Sequence, residues 1–324
     1  MPWKQSSASK TALMCLLAAL LGPRGATADF AYVTNQSSSD LSVIDTERIT
    51  EIRRISVPGM PAGVAVSQKL DAFFTVSPDS RTIRRYGLDA VHPTIERQLD
   101  GGPIGVAVDE RRHRIFVSDW YNARVWVLSA DDLTFATTLQ TGSAPAGLAL
   151  SPDGRWLATA DRDANQMSIF DASTLTLAHR ITVGERPFGL AFAPDGRAFS
   201  ADVGSNTVTA VDPEDGRVLG KIETGERPYG IAFAQGRGFV TNQYGDSVSV
   251  FDAKTYAAVA VIDVGGYPEG IDTTTDGRQI VVANWDSNTL SIIDAKSLMV
   301  VGEVATGDGP RAFGLFLAGR VLKE

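Results

Sequence analysis

Thiol chemistry is almost missing from this sequence, whose one cysteine, Cys15, sits in an apolar run near the N-terminus. The rest of the chain cannot close a disulfide, build a thiolate zinc site or carry a Cys-x-x-Cys-His haem attachment. Read as a lipid-attachment residue, Cys15 would need small residues before it, and Ala12-Leu13-Met14 do not supply them. Histidine is scarce too: His92, His113 and His179 are the only three, none at a familiar ligand spacing from another His, Asp or Glu. No Gly-x-Ser-x-Gly elbow occurs, and a serine nucleophile would still want a histidine. No Gly-rich phosphate loop precedes a helix, and helix signals are lacking after the N-terminal segment. The longest apolar run, Ala12–Leu21, is too short to span a bilayer. These absences leave no catalytic residue, metal, cofactor or membrane span to expect.

What is present begins with an export signal. Lys4 and Lys10 precede the apolar run, and Ala26-Thr27-Ala28 has the small-x-small pattern of a cleavage site. Residues 1–28 are therefore read as a signal peptide and residues 29–324 as one domain. Removing Lys4, Lys10 and Arg24 from 30 basic residues leaves 27 against 38 acidic ones, a formal charge of −11. That balance argues against a nucleic-acid partner. It suits solubility and would favour a cationic partner surface.

A repeat sets the architecture. Pro-x-Gly recurs at Pro61, Pro103, Pro145, Pro187, Pro228 and Pro268, with a looser copy at Pro310, at spacings of 42, 42, 42, 41, 40 and 42. An aromatic or aliphatic residue before Asp falls at Asp45, Asp171, Asp212, Asp252 and Asp294, with Gly87 and Ser129 in the weaker copies, at the same six spacings. Each copy holds four short β-type runs, for instance Gly189–Ala193, Ala198–Asp202, Thr207–Asp212 and Val218–Glu223. The first two are joined by Asp-Gly turns such as Asp153-Gly154, Asp195-Gly196 and Asp276-Gly277. A period in the low forties with four strands per unit predicts an all-β, seven-bladed β-propeller of four-stranded antiparallel blades. The chain opens on a second strand, Ala31–Asn35, and ends on an unpaired first strand, Gly314–Leu317, so the two ends should share one blade and close the ring.

Tyr32-Val33-Thr34-Asn35 and Phe239-Val240-Thr241-Asn242, followed by Leu41-Ser42-Val43-Ile44-Asp45 and Val248-Ser249-Val250-Phe251-Asp252, resemble the YVTN β-propeller repeat family. The layout as a whole, with its closing Gly309-Pro310-Arg311-Ala312-Phe313-Gly314, resembles secreted propellers associated with PQQ-dependent alcohol catabolism. That resemblance implies a periplasmic accessory role beside a quinoprotein dehydrogenase and a transporter; the chain is expected to be a monomer that binds a small molecule or a periplasmic protein of that system. The docking tryptophan of quinone-holding propellers is not evident, so no bound quinone is expected.

In a propeller the loops feeding the first strand and those joining the second to the third share one face. The Pro-x-Gly loops are decorated unevenly: Arg186, Phe188, Arg227, Tyr229, Tyr267, Glu269 and Arg311 stand where other copies have small or aliphatic residues. Such asymmetry is what a specific ligand requires. The arginines could fork onto a carboxylate or phosphate, or simply pair with Glu185 and Glu226 beside them. The second set of loops starts from Asn35, Ser77, Asp119, Asp161, Asp202, Asn242 and Asn284, a ring suited to capping turns. Beyond it lie Gln36, Trp120, Tyr121, Arg162, Gln243, Tyr244 and Trp285, which read as exposed. Trp120, Tyr244 and Trp285 join the candidate binding residues. Pro-x-Gly itself is read as backbone geometry. The leading function is a non-catalytic binding or scaffold propeller. The alternatives are a hydrolase such as a lactonase working through rim carboxylates, for which Asp161 and Asp163 are the visible pair, and a non-catalytic subunit of an amine- or alcohol-oxidising complex.

Overall fold

The computed structural model describes residues 29–319; the signal-peptide reading falls on residues 1–28 and lies outside them. Seven four-stranded antiparallel sheets are arranged as successive blades. We number the blades in chain order, with blade 1 holding Asp29–Asn35, Asp40–Asp45 and Thr50–Ser56. Blade 5 is representative, with strands Pro187–Phe192, Ala198–Asp202, Thr207–Asp212 and Arg217–Glu223.

Burial falls from the inside of a blade to its edge. Ala198–Asp202 is buried throughout, because each face of the blade is covered by a neighbour. The outermost strand, Arg217–Glu223, buries only Ile222, and Ile55, Leu139, Ile181 and Ile262 repeat that single anchor in other blades. The other outer-strand positions are exposed or half-buried and mixed in character, with Lys221 and Glu223 beside Val218 in this strand and Val259 and Val261 exposed in blade 6. The apolar clusters accordingly lie between blades, as where Phe199 and Val208 of blade 5 pack with Val240 and Phe251 of blade 6.

The recurring letters of the repeat acquire physical roles in the structure. In blades 3 to 7 the ladder between first and second strands slips immediately after the proline, as between Pro187 and Leu190. This bulge turns the x residue of Pro-x-Gly toward the channel. The glycine that follows is needed because the next blade comes too close: a Cβ on Gly189 would lie 1.9 Å from the Tyr229 carbonyl oxygen. The Thr or Ser before the capping residue ties the same two blades together. Thr241 Oγ1 accepts from the Gly230 amide and donates to the Glu269 carbonyl, and Ser118 does likewise with Gly105 and Ala146. Gly189→Ala should cost more than about 3 kcal/mol, a fall in Tm of roughly 6 °C or more. Gly196→Ala is the control, since its φ of +91° is in the left-handed region but nothing lies within 4 Å of a new Cβ; it should cost about 1 kcal/mol. Equal losses in the two melting curves would refute the close-approach argument.

The ring closes in blade 1, where Leu317–Gly319 pairs antiparallel with Asp29–Ala31 as the fourth strand. The regular strand begins later than Gly314 because the preceding residues divide their bonds among three blades. Arg311 N donates to Thr34 O in blade 1, while Val64 N and Val66 N of blade 2 donate to Phe313 O and Leu315 O. The amides of Phe316 and Leu317 both go to the Asp272 carboxylate of blade 7.

Candidate functional site

The two loop sets do share a face. Trp120 N donates to Gly102 O, Gln243 N to Arg227 O and Trp285 N to Tyr267 O, so each second-to-third-strand loop is stitched to the Pro-x-Gly loop of its own blade. Neighbouring blades are joined there too, since Asn165 Oδ1 accepts from Arg186 N and Asn206 Oδ1 from Arg227 N. The ring from Asn35 to Asn284 is fully buried. Asp119, Asp161 and Asn242 hold the Pro-x-Gly loops by accepting the amides of Gly102, Gly142 and Gly225, while Asn35 and Asn284 donate to Ser42 and Ser291 within their own blades. These are structural caps, as their recurrence in every copy suggested.

The decorated residues separate into a plug and a stripe. Phe188, Tyr229 and Glu269 are nearly buried, because the bulge swings them over the mouth of the channel. Phe188 stacks on Tyr229 at 4.3 Å, and Phe313 completes the cluster at 5.1 Å from Phe188. Trp120, only half-buried, leans on Phe188 at 5.9 Å with the Arg162 guanidinium over its ring at 5.4 Å. Arg162 also pairs with Asp163. Together these rings close the channel on the decorated face.

Beside the plug lies a buried charge network. Glu269 Oε1 accepts from Gln243 Nε2 at 2.7 Å, and Oε2 lies 3.1 Å from Arg311 Nε without a hydrogen-bond alignment. Arg311 donates to Gln36 Oε1 and to the Tyr229 hydroxyl. Burial pushes the Glu269 carboxyl up, and Arg311 opposes that shift. Gln243, which reads as exposed in the sequence, is buried because it serves this carboxylate.

The stripe remains at the surface. Arg227 lies 4.4 Å over the ring of Tyr244 and donates to its hydroxyl at 3.0 Å, so its partner is an aromatic residue and not Glu226. Tyr244 is 52% exposed and is followed by Tyr267 at 5.8 Å and Trp285 at 5.6 Å further on. Arg186 is exposed, and among the described residues its guanidinium makes no hydrogen bond or ion pair. His113 faces Asp131 at the surface and His179 the Glu214 carbonyl. Among the described residues no three His, Cys, Asp or Glu cluster as a metal site, and no helix is long and apolar enough to cross a membrane.

Below the plug the channel is an apolar cavity of about 160 Å³, bordered by residues of the first strands. Sequence reasoning missed it, and missed Phe313 as part of the plug. Aligning the last repeat on Gly314 instead of Pro310 would have placed Phe313 in register with Phe188 and Tyr229.

In sequence, residues 101–128, the inner part of blade 3, match the NHL repeat. Curated protein sequences give no significant match. In structure the chain is similar to a functionally unknown protein from Desulfotomaculum acetoxidans (TM-score 0.76, 18% identity, covering 90% of this chain and 98% of that one). It is also similar to Kuenenia stuttgartiensis hydrazine synthase (TM-score 0.71, 18% identity, 80% and 90%). A third neighbour is the dihydro-heme d1 dehydrogenase NirN in complex with DHE (TM-score 0.67, 15% identity, 88% and 74%). Likeness at these identities speaks for architecture alone: the chain is a seven-bladed β-propeller repeat protein.

Proposed function

We propose that this chain is an exported, non-catalytic propeller that binds a carboxylate-bearing partner, free or displayed on a protein surface, along its decorated rim. The observation that carries the reading is the Arg227–Tyr244–Tyr267–Trp285 stripe with Arg186 beside it. Stacking on Tyr244 holds the Arg227 guanidinium in one pose, which lowers the entropy lost when it engages an anion. The aromatic row, its rings tilted by 46° and 54° to one another, offers apolar surface next to that charge, the combination enriched at binding hot spots. The resemblance to propellers of PQQ-linked alcohol catabolism supports placing the partner in a periplasmic quinoprotein system. A hydrolase reading would want carboxylates converging on an open mouth, whereas Asp161 is committed to four donors inside blade 4 and Asp163 to Arg162.

The test is thermal stability of the purified protein against aliphatic and aromatic carboxylates, alcohols, lactones, quinone cofactor and divalent cations, with retention of periplasmic proteins measured in parallel. A ligand at about 100 times its Kd adds about 2.7 kcal/mol, a rise of several degrees. Carboxylates or a retained acidic protein should give the response, and Arg227→Ala or Tyr267→Ala should remove it. A response to alcohols or lactones alone, or one indifferent to both variants, would sink the rim reading.

A further inference from the structure

We propose that the rim stripe takes a dipolar small molecule, whose carboxylate meets Arg227 and whose methylated ammonium group sits in the cleft between Tyr267 and Trp285. The carboxylate half rests on the proposed rim function. The ammonium half is carried by the rings and the acids around them.

The centroids of Tyr267 and Trp285 are 5.6 Å apart and their planes are tilted by 54°, so the two faces open as a V. A cation at the mouth of the V meets both ring faces, and attraction to an aromatic face acts within about 6 Å of its centroid. The same row already holds one cation in this way, the Arg227 guanidinium 4.4 Å over Tyr244. Among the described residues no Arg or Lys stands over Tyr267 or Trp285. Both rings are fixed in place. Tyr267 N donates to Asp246 Oδ1 at 2.9 Å and Trp285 N to the Tyr267 carbonyl at 3.0 Å. Trp285 also lies against the next loop, where a Cβ on Gly309 would come 3.0 Å from its Nε1. A cleft held this way loses little entropy when it is filled.

The acids of the cleft choose the sign of the ligand. Asp286, next to Trp285, is exposed, and its Oδ2 would lie 3.6 Å from a Cβ on Gly266, the residue before Tyr267. Among the described residues its carboxylate makes no hydrogen bond or ion pair. Asp246 adds a second negative charge on the other side of Tyr267. A primary ammonium brings three N–H donors, more than one carboxylate and two ring faces can satisfy. A methylated ammonium carries the charge without donors and presents methyl groups to the rings. The cleft lies one ring beyond Tyr244, at centroid spacings of 5.8 and 5.6 Å, so a single short methylene chain reaches it from Arg227. That closeness selects a small molecule carrying both charges.

Titration calorimetry of the purified protein with ω-(trimethylammonio)carboxylates of three, five and seven methylenes, each beside its neutral tert-butyl isostere, tests this. The best-fitting dipolar compound should bind about tenfold more tightly than its isostere. Asp286→Asn should weaken the dipolar compound by about threefold or more and leave the isostere unchanged. Trp285→Ala should remove the preference for the ammonium; should that variant not fold, Asp286→Asn, at an exposed position, decides alone. Arg227→Ala should weaken both compounds alike. Carboxylates that bind without preferring the ammonium, or a preference that survives Asp286→Asn, would overturn this inference and leave the rim function standing. No binding of any probe, or binding of hexyltrimethylammonium while no carboxylate is needed, would overturn both.

Discussion

Removing residues 310–324 should leave a chain that does not fold, and the reason is the number of blades that depend on that segment. Phe316 is fully buried in the cluster that joins blades 1, 2 and 7, and truncating such a ring alone costs about 3–5 kcal/mol. Losing Arg311 strands the Glu269 carboxylate in the interior, and breaking a buried pair costs another ~3–5 kcal/mol. The amides of Val64 and Val66, and the Asp272 carboxylate, lose their partners in the same cut. These terms together reach the roughly 5–15 kcal/mol that a whole domain has available. Circular dichroism of the truncated chain should show no cooperative melting. Phe316→Ala, the milder change, should stay folded with a Tm lower by roughly 6–15 °C. A truncated protein that melts with the intact one would mean that the ring is held by something other than its last strand.

Much of this scaffold could be read from the residue pattern because propeller chemistry is local. Strands Thr207–Asp212 and Ala198–Asp202 fall where the alternation and the Asp-Gly turn place them, and the turn glycines Gly154, Gly196 and Gly277 take the positive φ expected of them. The Asp that closes five of the third strands caps its own turn, as Asp171 does with the amides of Ser173 and Thr174. The closing segment was legible in kind but shifted in place, since Gly314 (φ +133°) and the competition of Val64, Val66 and Asp272 for its bonds are tertiary facts.

The site was legible in membership and less so in depth. Phe188, Tyr229 and Glu269 stand out in the sequence as uneven decoration, which suggests an exposed rim. The slip after each proline inverts that expectation by aiming them at the channel axis. No composition or spacing signal reports the bulge that blades 3 to 7 share, because the period stays intact. Arg227 and Tyr267, two residues before Tyr229 and Glu269, and Trp285 on the loop after the second strand keep the rim positions their loops imply. The cavity was invisible for a related reason: it is bordered by Gly-Leu-Ala-Leu stretches such as 147–150, which look like any buried strand.

Acidifying the protein from pH 8 to about 5 should raise its Tm. Burial pushes Asp272 up to about 7 against the amides of Thr273, Leu317 and Phe316, and pushes Asp202 up to about 6 against Thr209, Ser200 and Thr207. Asp161 and Glu269 are raised by burial as well. A carboxyl whose folded pKa exceeds its unfolded value near 4 binds its proton more tightly in the native state. Stability is therefore gained as pH falls through about 7 and then about 6, is complete near 4, and is lost again on the way up. The combined gain is on the order of a few kcal/mol, roughly 5–10 °C. Below about pH 4 the trend reverses. At Asp119, for instance, burial raises the pKa but hydrogen bonds from Asn122, Gly102 and Arg124 hold it below the usual range, and protonation gives those bonds up. Asp272→Asn separates this from a general charge effect. Its remaining side-chain oxygen can still accept the Phe316 and Leu317 amides that meet at Oδ2, losing only the bond from Thr273. The variant should then show a shallower rise between pH 8 and 6 while keeping the fall below 4. A Tm that stays level from pH 8 to 5 in the native protein would mean that these carboxyls titrate as they do in water, and that the clasp on the closing strand carries its charge without penalty.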